Sequence, residues 1–135
     1  MAGPEDITRQ FVQAINQRDL GRIGAMMSED HRFIDSLGEP IEGRESMRDA
    51  WRRYFEMMPA YTIEVGEVLA KGNVVALLGK ASGTYRVGGE RGAETYWETP
   101  AAWRAVVREG RIAEWQVYAD NEPVRRLMRG ASEAK

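Results

Sequence analysis

The chain has 135 residues, enough for one domain that buries about two thirds of its unfolded surface, so we predict a single domain over residues 1–135. Its 19 basic and 21 acidic residues give a net charge of −2, which lacks the positive field that attracts phosphate backbones and makes nucleic acid an unexpected partner. With no cysteine and one histidine, the chain cannot form disulfides, thiolate metal sites or a multi-histidine metal site by itself.

The sequence also shows no export or membrane signal. The N-terminus has no basic segment followed by an apolar run, and no apolar stretch is long enough to span a bilayer. We therefore expect a cytoplasmic protein that has no membrane or nucleic-acid partner and uses no metal and no cofactor.

The chain begins with the apolar spacing of two amphipathic helices. Apolar residues recur at helical spacing from Pro4 to Asp19, with polar residues on the opposite side. Asp19 is a good N-cap for a second, shorter helix that continues to Met27. A third helix is predicted from about Gly43 to Met58, because Pro59 cannot continue it.

A short strand that ends at Asp35 lies between the second and third helices. Alternation places His31, Phe33 and Asp35 on one face of this strand. Desolvation beside an aromatic ring disfavours the charged form of a carboxylate, which makes it a better proton acceptor at neutral pH. We predict that Asp35 is a general base; the alternative is that it accepts backbone hydrogen bonds in the turn from Ser36 to Pro40.

From Tyr61 onward the apolar period changes to two, which indicates antiparallel strands. Gly66 predicts a bulge, Pro100 predicts an edge position, a bulge or a kink, and Gly88 to Gly92 predict a hairpin loop. The four predicted strands are Tyr61 to Leu69, Val74 to Val87, Ala93 to Arg108 and Ile112 to Ala119.

The order of these elements predicts an α+β fold. Asp120-Asn121-Glu122-Pro123 opens a short C-terminal helix that runs through Arg129. Three helices followed by a meander of long strands require one curved antiparallel sheet to wrap over the three N-terminal helices. Glycines in the strands allow this sheet to curl into a half-open cone, and such a cone holds a pocket.

Several motifs resemble those of a known superfamily. They are the helical pair from Phe11 to Met27, the segment Phe33 to Gly38 followed by Ile41 to Glu45, and Gly110-Arg111-Ile112 before the last strand. Together with the layout, they resemble the nuclear transport factor 2-like superfamily and, within it, the SnoaL-like polyketide cyclase and ketosteroid isomerase branch. The resemblance implies the cone fold but not one reaction, since this superfamily hosts isomerases, cyclases, hydratases and proteins without catalysis.

The same resemblance bears on the catalytic residues. Asp35 falls where ketosteroid isomerases place their general base. Phe11 stands where those enzymes have the tyrosine of the oxyanion hole, and Trp103, or Ala102 without a gap, stands where they have the acid. Trp51 stands where those enzymes have a supporting tyrosine. Because both oxyanion donors are missing, we do not expect steroid isomerisation by that arrangement.

Two further residues are candidates for proton transfer. His31 could act as a proton shuttle paired with Asp35, since the pKa of histidine lies near neutrality; the alternative is a solvated residue at the junction between helix and strand. Asp120 resembles the acid/base aspartate of SnoaL-like cyclases. Strand parity points its side chain outward, so the alternative is that Asp120 caps the C-terminal helix.

Large apolar and aromatic side chains on the inner faces of the predicted elements favour a pocket for a small apolar or aromatic molecule. Core packing would explain most of these rings equally well. The predicted ligand-binding residues are Phe11, Phe33, Trp51, Tyr54, Phe55, Trp103, Trp115 and Val117.

The predicted function is that of a cofactor-independent acid/base enzyme of isomerase, cyclase or lyase type. Asp35 would take a proton from a carbon beside a carbonyl, and the indole of Trp51 or Trp103 would help to hold the enolate oxygen. The alternatives are a binding protein without catalysis and a dimerisation module. The resemblance implies a homodimer through the outer sheet face, where Ala102, Val106 and Tyr118 lie opposite the pocket.

Overall fold

The protein, seen as a computed structural model that describes residues 3–86 and 94–133, combines four helices with an open, curved sheet of six strands, which confirms the predicted α+β class. The predicted hairpin loop at 88–92 lies outside the described residues. The elements are α1 (Pro4–Asn16), α2 (Leu20–Met26), β1 (Met27–Ile34), β2 (Pro40–Glu42), α3 (Arg44–Met57), β3 (Thr62–Lys71), β4 (Val74–Arg86), β5 (Glu94–Arg108), β6 (Arg111–Ala119) and α4 (Glu122–Glu133).

The strand order is β2-β1-β6-β5-β4-β3, and β1 pairs with β6 in parallel, whereas the other pairs are antiparallel. The expectation of a wholly antiparallel sheet was therefore wrong at this pair. Strand β2 was also missed, because three residues are too few to show alternation. It pairs with the end of β1, from Arg32 opposite Glu42 to Ile34 opposite Pro40, so the turn that contains Asp35 closes a hairpin.

The end of α1 is held by polar side chains. Arg18 adopts a left-handed backbone conformation, and its guanidinium donates to the carbonyls of Asn16 and Tyr61 at 2.7 and 3.1 Å. The side chain of Asn16 pairs with both backbone groups of Ile63, at 2.8 and 3.0 Å. These bonds end α1 before the predicted Asp19 and fix the start of β3. Asp19 does cap α2, as predicted, by accepting from the amide of Arg22.

Glycine at two positions allows the sheet to bend. The register between β3 and β4 shifts between Val65 and Glu67, which confirms the bulge predicted at Gly66. Opposite this bulge, a Cβ atom on Gly79 would lie 1.9 Å from the carbonyl oxygen of Glu64, so only glycine fits there. The bulge curves the sheet over the helices and leaves room beneath it.

Pro100 lies where β5 loses one neighbour. Strand β5 is an interior strand, but β6 ends at Ala119 opposite Ala101, so Pro100 pairs only with Lys80 of β4. This agrees with the predicted edge-like position, because the missing N–H is tolerated where a second ladder has ended. At the other end of the molecule, α4 continues to Glu133, beyond the predicted Arg129.

The core lies between the three N-terminal helices and the concave face of the sheet. Its largest fully buried side chains include Phe11, Ile15, Leu77, Trp103 and Trp115. No helix within the described ranges combines the length and the apolar character needed to cross a membrane.

Candidate functional site

A cavity of about 300 Å³ opens between α3, the turn after β1 and the concave side of the sheet. Its walls come from all six strands or their flanking turns and from one helix, so no single segment of the sequence outlines it. The lining residues are Phe33, Asp35, Ser36, Ile41, Met47, Ala50, Trp51, Tyr54, Tyr61, Ala81, Trp97, Val117 and Asn121.

Five aromatic rings form a continuous wall of this cavity. The ring centroid of Phe33 lies 6.4 Å from that of Trp51, and the centroid of Trp51 lies 6.2 Å from that of Tyr54; both contacts are edge-to-face. Tyr54 contacts Tyr61 at 5.0 Å, and Tyr61 lies 6.2 Å from Trp97. The wall therefore runs from the strand that leads to Asp35 round to β5, and its rings can pack against the faces or edges of a planar molecule.

Helix α3 supplies the central part of the wall through its spacing. Met47, Ala50, Trp51 and Tyr54 are three, four and seven positions apart along the helix and therefore share one face. The small side chain of Ala50 leaves space between two large ones. On the opposite face, Asp49 forms ion pairs with two arginines in solvent, which keeps that side of α3 outward.

Asp35 lies in the turn after β1 and lines the polar end of the cavity, half-buried. Its Oδ1 atom accepts hydrogen bonds from the backbone amides of Leu37 and Glu39, each at 2.9 Å. The turn-capping role considered as an alternative is therefore present. Its Oδ2 atom accepts no hydrogen bond within the described ranges, so the carboxylate both holds the turn and presents one oxygen for other contacts.

Ser36 and Asn121 stand beside Asp35 at the same end. The Nδ2 atom of Asn121 donates a hydrogen bond to Oγ of Ser36, which ties the start of α4 to the turn after β1. The cavity thus has one polar end, made by two turns, and an aromatic wall that leads away from it.

His31 does not line the cavity. It is 0% exposed, its Nδ1 lies 2.8 Å from the carbonyl oxygen of Ile112, and its ring lies 6.4 Å from that of Phe11. Burial lowers its pKa, so the ring is neutral at neutral pH and Nδ1 carries the donated proton. It forms no hydrogen bond with Asp35. The alternative of a solvated residue was wrong, because pairing of β1 with β6 brings this position into the core.

Asp120 lies outside the cavity and is exposed. Its Oδ1 accepts from the amide of Glu122 at 3.0 Å, which caps α4. Its backbone carbonyl accepts from Oγ1 of Thr99 at 3.0 Å. The structure therefore shows the capping contact that the sequence offered as the alternative to a catalytic role.

The predicted ligand-binding residues divide into two groups. Phe33, Trp51, Tyr54 and Val117 line the cavity. Phe55 stacks on the far side of Trp51 at 5.4 Å without lining it. Phe11, Trp103 and Trp115 are buried in the core and do not line it.

Sequence reasoning missed several lining residues, including Tyr61, Trp97 and Asn121. Met47 and Ala50 could have been found from the helical spacing to Trp51. No local signal could have found Trp97, because its place opposite Gly83 depends on the pairing of β4 with β5. A Cβ atom on Gly83 would lie 3.0 Å from the Trp97 ring, so the glycine makes room for it.

The polar groups of the aromatic wall are mostly donors. Burial raises the pKa of Tyr54 and of Tyr61 far above the ordinary phenol value, so both hydroxyls stay protonated. Nε1 of Trp51 is buried and has no partner in the described part of the chain. Nε1 of Trp97 donates to Sδ of Met58, a weak acceptor, at 3.2 Å.

The charge of the lining is simple. Among the described residues it contains one carboxylate, that of Asp35, and no lysine, arginine or histidine. Within residues 3–86 and 94–133, no three histidine, aspartate or glutamate side chains come together as metal ligands would. The arrangement suits a neutral organic molecule that meets a carboxylate at one end and hydrogen-bond donors along the wall.

A family model for the SnoaL-like domain matches residues 8–115 of the chain. No curated protein matches it. The family match spans the three N-terminal helices from residue 8 and the sheet as far as Trp115 in β6, including all described lining residues of the cavity except Val117 and Asn121.

Solved structures with the same fold include three that cover almost all of the chain. A candidate SnoaL-like polyketide cyclase from Shewanella denitrificans has a TM-score of 0.83 at 14% identity, and the match covers 94% of this chain and 97% of that one. An NTF2-like protein from Burkholderia thailandensis has a TM-score of 0.79 at 21% identity, with 95% and 98% covered. IdmH, a candidate polyketide cyclase from Streptomyces antibioticus, has a TM-score of 0.78 at 22% identity, with 95% and 99% covered. At these identities the likeness concerns the fold.

Proposed function

The chain belongs to the SnoaL-like domain family, and on this basis we propose that it is a cofactor-independent acid/base enzyme of isomerase, cyclase or lyase type acting on a small carbonyl compound. The observation that carries the proposal is the position of Asp35. It lines a cavity walled by aromatic rings, and one of its oxygens is free of hydrogen bonds from the described residues. A positioned carboxylate of this kind is the group that general base catalysis requires.

The proposed step is removal of a proton from the carbon beside a carbonyl group. Oδ2 of Asp35 takes the proton, the C–H electron pair forms the carbon–carbon double bond of an enolate, and the carbonyl π electrons move to oxygen. The buried Nε1 of Trp51, which has no partner among the described residues, can donate to that oxygen. In a β,γ-unsaturated ketone the enolate is conjugated, and return of the proton from Asp35 to the γ carbon completes an isomerisation. In a compound with a second carbonyl, attack of the enolate carbon on that carbonyl forms the ring bond, and its oxygen takes the proton back from Asp35, which completes a cyclisation.

Two of the structural neighbours support this reaction class. Both carry the description of candidate polyketide cyclases, and carbon–carbon ring closure of that kind starts from an enolate. Steroid isomerisation is not part of this proposal. Phe11 and Trp103 carry no hydroxyl or carboxyl group and lie in the core, so the corresponding oxyanion hole has no counterpart here.

The test uses hydrogen–deuterium exchange at carbon. 2-Tetralone, a two-ring ketone with acidic hydrogens between its ring and its carbonyl, is incubated in D2O and followed by NMR. We expect Asp35→Asn to abolish catalysed exchange, a loss of about a hundredfold or more. The amide oxygen of asparagine can still accept from Leu37 and Glu39, so the turn and the fold are retained.

Two matched substitutions serve as comparison. Asp19→Asn changes an exposed carboxylate that caps α2 in the same way, and should leave exchange unchanged. Asp120→Asn removes the charge of the other candidate carboxylate. Because asparagine also caps helices, any loss of exchange in this variant would reflect the missing carboxylate and not a disturbed α4. Exchange that survives Asp35→Asn but not Asp120→Asn would transfer the role of base to Asp120 and overturn the proposal for Asp35.

A binding protein without catalysis is the second candidate. It is favoured by the two hydrogen bonds of Asp35 Oδ1, which give the carboxylate a structural reason to be present. The same experiment distinguishes the two functions, because a binding protein would bind the ketone but catalyse no exchange, either as wild type or in any variant.

We also propose a homodimer through the outer sheet face. Leu78, Ala102 and Tyr118 lie side by side across β4, β5 and β6, on the face opposite Trp103 and Val117. Leu78 is 38% and Tyr118 50% exposed, which is unusual for large apolar residues in the middle of a sheet. A second copy of the chain would cover this row.

A further inference from the structure

The aromatic wall of the cavity contains donors without acceptors. Nε1 of Trp51 is buried without a partner in the described part of the chain. The lining residues Tyr54 and Tyr61 bring two hydroxyls that donate to no acceptor there. Asp35, at the polar end, is the only charged acceptor among the described lining residues. Donors therefore outnumber the acceptors they could reach along this wall.

A donor that an apolar ligand covers loses its bonds to water and gains none in return. A ligand that brings an acceptor oxygen restores the bond, whereas a ligand without one leaves the donor unpaired. A site built in this way discriminates between molecules of the same shape by the presence of that oxygen. Donors along the wall would thus favour acceptor-bearing ligands in a way that the apolar lining alone would not.

We infer that Tyr61, with Tyr54 beside it, orients the ligand by donating a hydrogen bond to its carbonyl or enol oxygen, and that the ligand is a ketone or enol of one or two rings. The inference rests on the proposed function and adds to it the binding group and the ligand class. It assigns the role of the missing oxyanion donors to side chains at other places in the chain.

The geometry around Tyr61 distinguishes it from Tyr54. Tyr61 is 6% exposed, and its ring meets that of Tyr54 edge-on at 5.0 Å and 84°. Nε1 of Trp103 lies beside the Tyr61 hydroxyl, short of hydrogen-bond geometry, with no other partner among the described residues. A donor next to the phenol oxygen polarises the O–H bond and strengthens its donation to a ligand. The raised pKa of Tyr61 keeps that proton in place.

The size of the cavity sets the ligand class. A dry cavity of about 150 Å³ in another protein holds one benzene molecule. At about 300 Å³, the present cavity accommodates roughly twice that, on the order of ten to fourteen non-hydrogen atoms. A two-ring ketone fits within this volume, whereas a four-ring compound exceeds it.

The test compares two probes that differ in one oxygen. 2-Tetralone and tetralin have nearly the same shape, and only the ketone offers an acceptor. Binding of each is measured by calorimetry to the wild-type chain, to Tyr61→Phe, to Tyr54→Phe and to Tyr118→Phe, which removes a hydroxyl on the outer face. We expect Tyr61→Phe to weaken ketone binding about tenfold, the loss of one hydrogen bond, and to leave tetralin binding within about twofold. Tyr118→Phe should change neither.

The outcomes separate this inference from the proposed function. Ketone binding that is unchanged in Tyr61→Phe, or lost only in Tyr54→Phe, overturns the assignment of Tyr61, even if exchange remains dependent on Asp35. If Tyr61→Phe loses the preference for the ketone while even the wild type catalyses no exchange, the result supports Tyr61 as the hydrogen-bond donor and overturns Asp35 as the general base. Absence of binding by both probes, or equal binding of a four-ring ketone, overturns the ligand class. Circular dichroism of each variant checks that the fold is retained.

Discussion

Asn121 donates a hydrogen bond from Nδ2 to Oγ of Ser36, and this contact joins two turns that are far apart in the sequence. One turn follows β1 and contains Asp35, and the other connects β6 to α4. Both residues line the polar end of the cavity. The position of the candidate base therefore depends on a bond between turns and not on the turn alone.

We expect Asn121→Ala and Ser36→Ala each to lower the free energy of unfolding by about 1 kcal/mol, since each leaves a half-buried polar group without its partner. The double variant should lose little more than either single one, because the two share one interaction. Urea denaturation of the four proteins checks this. Strictly additive losses would contradict a direct bond between the two side chains. Exchange of 2-tetralone should slow in all three variants, as the turn that holds Asp35 is loosened.

The buried His31 predicts a pH dependence of stability. Burial lowers its pKa below the ordinary 6.5, against smaller raising effects of the Ile112 carbonyl, Asp30 and Glu114. The unfolded chain therefore binds a proton at higher pH than the folded one. The contribution of neutral His31 is complete above about pH 6.5 and is lost as the pH falls from there toward the folded-state pKa.

His31→Phe removes this titration. We expect the variant to be less stable at neutral pH, because the carbonyl of Ile112 loses its donor, but to depend less on pH just below about 6.5. The measurement is the free energy of unfolding in urea about one pH unit above and one below that value. An equal slope in the two proteins would show that another group is responsible.

Gly83 controls the volume available to Trp97. A Cβ atom at this position would lie 3.0 Å from Cζ2 and 3.2 Å from Nε1 of Trp97, so Gly83→Ala should push the ring toward the cavity. We expect tetralin and 2-tetralone to bind several-fold more weakly, with a loss of stability of about 1 kcal/mol. Gly66→Ala is the matched control, because its Cβ would lie at 3.4 Å from the carbonyl oxygen of Leu78, an ordinary contact. Equal ligand affinity in wild type and Gly83→Ala would mean that Trp97 does not bound the ligand.

The proposed dimer interface on the outer face of the sheet can be tested by introducing a charge there. Tyr118→Glu places a carboxylate in the apolar row beside Ala102, and two such charges would meet in a symmetric interface. We expect light scattering to report a dimer for the wild type and a monomer for Tyr118→Glu. Leu37→Glu, at an apolar residue off the sheet that is even more exposed than Tyr118, should remain dimeric. A wild type that is monomeric at all concentrations, or a dimer that tolerates Tyr118→Glu, would contradict this interface.

The sequence alone determined the features that depend on local geometry. Helical spacing identifies the face of α3 that carries Trp51 and Tyr54, because residues three and four apart always lie together on a helix. Gly66 marks the bulge, since a glycine inside an alternating strand favours one. The same local reasoning placed Asp35 at the start of a turn. It also predicted, as alternatives, the two contacts that the structure shows together: hydrogen bonds to the backbone of the turn and a place in the cavity lining.

The tertiary structure decided which rings surround the cavity and which fill the core. Trp97 and Trp103 lie on the same face of β5, yet only Trp97 lines the cavity, because α1 and α3 cover different parts of the sheet. His31 is buried because β1 pairs in parallel with β6, a strand distant in the sequence. Strand register and helix packing are set by the sum of many long-range contacts, and no window of neighbouring residues contains that information.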